Sequence, residues 1–149
     1  MLYRGYINER SEDAPFIGAL IVANNCHHDC YGCCNQHLKT DTVIQDETAE
    51  QIIKHVKADI FNKGIILAGL EWTEQPDDLR ALYWEAQKQG LEVMIYTHLT
   101  VDEFMDKFKD ICKHCYVKFG EYKQDAKTDY LKLYDVKLAT ANQYIIKFN

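Results

Sequence analysis

The chain alternates short continuous apolar runs with longer stretches whose apolar residues recur every three to four positions. That alternation predicts strands and helices in turn. Residues 16–23, 64–68 and 91–97 read as strands, the first two apolar throughout, as expected where both faces are covered. Between the first two, residues 46 to about 61 carry Ala49, Ile52, Ile53, Val56 and Ile60 at helical spacing, with Asp46 and Thr48 as capping candidates. A second helix is predicted from 77 to 89, with Leu79, Leu82, Tyr83 and Ala86 inward and Gly90 placed to end it. Thr100 and Glu103 have the spacing of a capping box and open a third helix through Phe104, Met105 and Phe108. A short strand at 116–119 and an apolar patch at 144–146 follow. The polar residues before Pro15 read as an edge strand or an ordered arm.

Strand and helix thus alternate at least three times, which predicts an α/β fold with a mostly parallel sheet and right-handed crossovers. The 149 residues are most simply one domain, 1–149. A closed eight-fold barrel takes about 250 residues, so an open, partial β/α barrel is the architecture that fits the length. The net charge of −6 argues against a nucleic-acid partner bound by broad phosphate neutralisation. No stretch approaches the roughly 18 apolar residues of a membrane span, and the N-terminus lacks the apolar centre of a signal peptide. The expectation is a cytoplasmic protein with no membrane partner, whose six cysteines are metal ligands or thiols and not disulfides.

Four of those cysteines, Cys26, Cys30, Cys33 and Cys34, fall within nine positions just after the first core strand. A buried parallel strand delivers its following loop to the end of the sheet where α/β folds place their chemistry. Intervals of four and three residues let Cys26, Cys30 and Cys33 converge. Three thiolates on a four-iron cluster leave one iron open to a substrate. Two other readings stand beside the cluster. Cys112, His114 and Cys115 could complete a tetrahedral zinc set with the early thiolates, or positions 26, 30 and 33 could be a buried stripe on one helix face. Cys112 and Cys115 are otherwise either a second metal site or free thiols. His27 and His55 read as loop and surface residues, and Trp72 and Trp84 as packing residues.

The run Cys26-x-His28-x-Cys30-x-Gly32-Cys33-x-Asn35 resembles the signature of radical S-adenosylmethionine enzymes, and in particular the activating proteins of anaerobic (class III) ribonucleotide reductase, with Cys34 as a local departure. Gly69-Leu70-Glu71 stands where that superfamily carries Gly-Gly-Glu. It reads alternatively as a plain loop with a solvent-facing Glu71. Residues 94–100 are similar to the family's Tyr-Thr-Gly-Tyr-Thr turn, with His98 where glycine is common, and 116–122 and 138–146 resemble its later segments. The resemblance implies a partial barrel of the radical S-adenosylmethionine type. It implies a [4Fe–4S] cluster on Cys26, Cys30 and Cys33, which are then both metal ligands and catalytic groups. S-adenosylmethionine would lie beside Gly32, Cys34, Asn35, Gly69, Leu70, Glu71 and Thr97. The implied partners are an external one-electron donor such as a flavodoxin and the large subunit of anaerobic ribonucleotide reductase. On that subunit a 5′-deoxyadenosyl radical would generate a glycyl radical. Another glycyl-radical enzyme or a peptide is the alternative substrate.

Overall fold

The computed structural model describes residues 1–27, 35–40, 42–128 and 132–149. Its centre is a seven-stranded sheet. Strand β1 (Leu2–Arg10) runs antiparallel to β2 (Gly18–Ala23) and to the short β3 (Gln45–Asp46). Helix α1 (Ala49–Ala58) returns the chain to β4 (Gly64–Ala68), and α2 (Pro76–Lys88) to β5 (Glu92–Tyr96). Helix α3 (Val101–Phe108) leads to β6 (Cys115–Phe119). A two-stranded hairpin, β7 (Lys132–Leu133) with β8 (Val136–Lys137), precedes β9 (Tyr144–Phe148).

Strands β2, β4, β5 and β6 are parallel neighbours in chain order, and β9 closes the far side antiparallel to β6. The outermost strands β3 and β9 do not pair, so the sheet is not a closed barrel. The expected parallel centre is present, but β1 and β9 add antiparallel flanks that the strand–helix alternation did not predict. Ala19, Ile21, Ile65, Leu67, Val93, Ile95, Val117 and Phe119 project to one face and pack with the buried sides of all three helices. The alternate residues Ile66, Ala68 and Met94 meet Ala14, Val136, Leu138 and Ile145 on the other face. Both faces are therefore covered, which is why these strands read as unbroken apolar runs.

Local chemistry sets the helix ends. Thr48 and Thr100 are N-caps of full capping boxes, closed by Gln51 and Glu103. Gly90, with φ +73°, ends α2: its N–H bonds the Gln87 carbonyl and the Leu91 N–H reaches back to Ala86, a Schellman arrangement. The first helix is shorter than its periodicity predicts. It stops at Ala58, because Asp59 turns extended and its Oδ1 accepts the Phe61 N–H. Ile60, placed on the core face by spacing, is 77% exposed.

No helix among the described residues is long and apolar enough to cross a membrane.

Candidate functional site

The parallel strands end together on one side of the sheet, and the segments that follow them build a cleft. Cys26 comes from the segment after β2, Gly69, Leu70 and Glu71 from that after β4, Thr97 and His98 from that after β5. Lys118 and Gly120 come from the end of β6, and Gln143 from the turn before β9. Asn35, at the N-terminus of the 3-10 turn Gln36–Lys39, faces the same space. The structure thus brings together Cys26, Asn35, Gly69, Leu70, Glu71 and Thr97, six positions expected from the sequence. Cys30, Cys33, Cys34 and Gly32 lie outside the described residues.

The turn after β4 departs from a double-glycine pattern in an intelligible way. Only Gly69 takes the left-handed region, at φ +87°, and a Cβ there would lie 2.8 Å from Val22 Cγ1. Leu70 keeps a negative φ and is buried, so the larger side chain is packed and not strained. Glu71 is only 4% exposed, which overturns the reading of a plain loop with a solvent-facing carboxylate. Its Oε2 accepts the Thr73 N–H (3.2 Å) and hydroxyl (2.7 Å). Its Oε1 accepts the His98 N–H at 2.8 Å and lies 3.6 Å from His98 Nε2. The carboxylate therefore ties the β4 segment to the β5 segment across the cleft wall. Thr97 is also buried, its hydroxyl accepting the Leu99 N–H.

Beyond β5 the wall becomes basic and aromatic. Lys118 is 8% exposed, with Nζ 4.6 Å from the centre of the Tyr96 ring, a cation–π contact. The Tyr96 hydroxyl donates to the Asp13 carbonyl (2.7 Å), and burial pushes its pKa above the ordinary tyrosine value. Gln143 locks the closing turn. Its Oε1 accepts the Ala139 and Thr140 N–H groups while its Nε2 donates to the Gly120 carbonyl. Sequence reasoning did not single out Lys118 or Gln143 as site residues. The available signal was a lysine at the C-terminal end of an otherwise buried strand.

The first cysteine is bracketed by a second missed element, the 3-10 turn Trp72–Glu74. Trp72 is fully buried and its indole N–H donates to the Ile21 carbonyl (2.9 Å). His27 does not simply face solvent: its N–H and Nδ1 both meet the Glu74 carboxylate. His55 is at the surface as expected, but bonded to Glu47 and stacked on Tyr6.

Cys112 and Cys115 belong to the opposite end of the molecule. The pairing register sets Cys115 level with Val93, Ile65 and Ala19, seven residues before Cys26 along β2 and beyond. At roughly 3.3 Å per residue that is on the order of 20 Å, so a zinc set joining Cys26 to Cys112 and Cys115 is excluded, while Cys30, Cys33 and Cys34 lie outside the described residues. Each thiol donates to the carbonyl four residues earlier, and burial pushes Cys112 up to about 11 and Cys115 up to about 12. Among the described residues no three or more His, Cys, Asp or Glu side chains form a metal-binding group.

The donor set offered to the cleft suits an iron–sulfur cluster. Among the described residues the carboxylates beside Cys26 are engaged, Glu71 by Thr73 and His98 and Glu74 by His27, and Cys26 brings a soft thiolate donor. No characterised protein in the curated comparison matches the chain. A family model described as a 4Fe-4S single cluster domain matches residues 17–146, from the start of the parallel sheet to its last strand, and the chain accordingly belongs to this family of iron–sulfur proteins.

Proposed function

We propose that the protein is a radical S-adenosylmethionine activase that generates a glycyl radical on the large subunit of anaerobic ribonucleotide reductase. The observation that supports the reading is convergence. Cys26, the Gly69–Glu71 turn and Thr97 come from three successive strand ends and face one cleft. In this reading Cys26, Cys30 and Cys33 hold a [4Fe–4S] cluster, and the fold is an open arc of the radical S-adenosylmethionine barrel. Held by these cysteines and reduced by an external one-electron donor such as a flavodoxin, the cluster would supply the electron for splitting the sulfonium C–S bond of S-adenosylmethionine into methionine and a 5′-deoxyadenosyl radical, which would take a hydrogen atom from the partner's glycine and leave as 5′-deoxyadenosine.

The chain's own residues would position the cofactor. Gly69, lacking a Cβ, lets the turn approach Val22 and opens its backbone to the cleft. Because Glu71 is buried and both its oxygens already accept hydrogen bonds, the backbone carbonyls of this turn would take the larger part in recognising the cofactor's ammonium group. Thr97 and Leu70 seal the wall behind it, and Gly32, Cys34 and Asn35 contribute from the cysteine loop. A glycine loop of the protein substrate inserted into the cleft would itself exclude water.

The test is anaerobic purification and cluster reconstitution, followed by assay of 5′-deoxyadenosine after S-adenosylmethionine and dithionite are added. Brown protein that forms it, with Cys26→Ala forming none, is the expected result. Mixing with the reductase subunit should then yield a glycyl-radical signal by electron paramagnetic resonance. Colourless protein holding zinc would refute the reading. Deoxyadenosine without a radical on the reductase, but with one on a different glycyl-radical enzyme or peptide, would move the substrate and keep the chemistry.

A further inference from the structure

The residues around Cys26 are gripped one after another by a single segment. The Trp72 indole bonds the Ile21 carbonyl at 2.9 Å, and the Asn24 N–H donates to Gln75 Oε1 at 2.7 Å. The Glu71 N–H bonds the Asn25 carbonyl at 3.2 Å. Beyond the cysteine, the His27 N–H donates to Glu74 at 2.8 Å (Oε2) and 3.1 Å (Oε1), and His27 Nδ1 lies 2.6 Å from Oε1. The Cys26 N–H is itself taken by Asn25 Oδ1 at 2.9 Å.

We infer that Glu74 is a positioning residue for Cys26, fixing the direction in which the first thiolate enters the cluster. The inference rests on the reading of Cys26 as a cluster ligand. Three of the four contacts lie on the strand side of Cys26, where β2 and the core already hold the chain. Among the described residues the far side is held by Glu74 and by Asn25, whose Nδ2 lies 3.4 Å from His27 Nε2, and of the two Glu74 is the one anchored outside the cysteine's own segment. The His27 side chain is 78% exposed, so packing does not hold that residue in place. Glu74 is well placed to do so, because it follows by two residues the fully buried Trp72 and precedes Gln75, which also bonds the Leu2 carbonyl. Without the carboxylate the His27 N–H loses its Glu74 acceptor, and the residue that follows the ligand is less firmly fixed. Groups that orient metal ligands in this way commonly change metal retention by about 10–100-fold when removed.

The experiment compares wild type, Glu74→Ala, Glu74→Gln and a control, Glu50→Ala on the exposed side of α1. Each is reconstituted anaerobically as the full chain. Cluster loss to an iron chelator and the resonance spectrum of the reduced cluster are followed, together with amide exchange across residues 22–27. Glu74→Ala is expected to lose its cluster about tenfold faster, with a broadened spectrum and faster exchange. Glu74→Gln, which keeps an oxygen acceptor for the His27 N–H, should recover most of the difference, and Glu50→Ala should match wild type. Cluster loss, spectrum and exchange in Glu74→Ala and Glu74→Gln equal to wild type would overturn the proposal alone. A wild-type chain that takes up no iron would overturn it together with the reading on which it rests.

Discussion

Gly69→Ala tests the geometry on which the cleft depends. At φ +87° an L-residue pays about 1–2 kcal/mol for the left-handed backbone. The new Cβ would also sit 2.8 Å from Val22 Cγ1 and 3.1 Å from Cγ2, and forced overpacking of that kind costs about 1–3 kcal/mol. The sum is about 2–5 kcal/mol. At roughly 3 °C per kcal/mol for a chain of this size, Tm should fall by roughly 6–15 °C. Because Val22 is buried on β2, Val22→Ala removes the clash but not the backbone strain. The double variant should therefore lose less than the two single losses added together, by about 1 kcal/mol or more. Urea denaturation of the cluster-free chain, followed by circular dichroism and the fluorescence of buried Trp72, measures all four corners of the cycle without coupling to iron loss. A Gly69→Ala loss below about 1 kcal/mol, or strict additivity with Val22→Ala, would refute the argument.

Leu70→Gly is the complementary case: with a negative φ and a buried side chain, leucine is favourable there, and the variant should lose about 2–4 kcal/mol. An increase in Tm would show that leucine is strained. Cys112 and Cys115 should resist iodoacetamide at about pH 8 in the native chain and react readily in urea, read by peptide mass spectrometry. Because both thiol pKa values are raised, the stability they contribute is present below their ordinary value of 9.0. It is lost as pH rises through about 11 and 12, so an alkaline limb should appear in the melting profile. Glu47 acts at the other end of the scale. Hydrogen bonds from Tyr3 and then His55 hold its carboxyl below the ordinary value of 4.5, so its contribution is present above that value and lost as pH falls through the lowered one. Glu47→Gln should flatten the acid limb of stability below about pH 5; an unchanged limb would show that the Glu47 hydrogen bonds contribute nothing.

Much of this molecule was legible one segment at a time. The run at 64–68 is a strand buried throughout, with no polar alternation to misread, and the run at 91–97 holds the strand Glu92–Tyr96, whose middle three residues are buried. Thr48, Thr100 and Gly90 act at helix ends through their nearest neighbours, so their roles follow from a few residues of sequence. The cysteine spacing likewise carried its chemistry locally, and the family match agrees with it. Periodicity failed where something outside the apolar pattern decided the outcome. Ile60 continues the helical pattern of α1, yet Asp59 ends the helix and leaves it in solvent. The antiparallel placing of β1 and β9 depends on which sheet edges remain open, information that no short window contains.

The site divides in the same way. Sequence alone determined that four thiols stand within nine positions just after the first core strand, because a motif's spacing is a property of contiguous chain. The tertiary structure decided which residues share the cleft. It set Cys112 and Cys115 at the far end of the sheet, turned Glu71 inward onto His98, buried Lys118 against Tyr96, and brought Glu74 to His27 across 47 positions of sequence. Each of those outcomes depends on the parallel register of strands β2, β4, β5 and β6. Register is fixed only when the apolar faces of all the strands and helices are buried together.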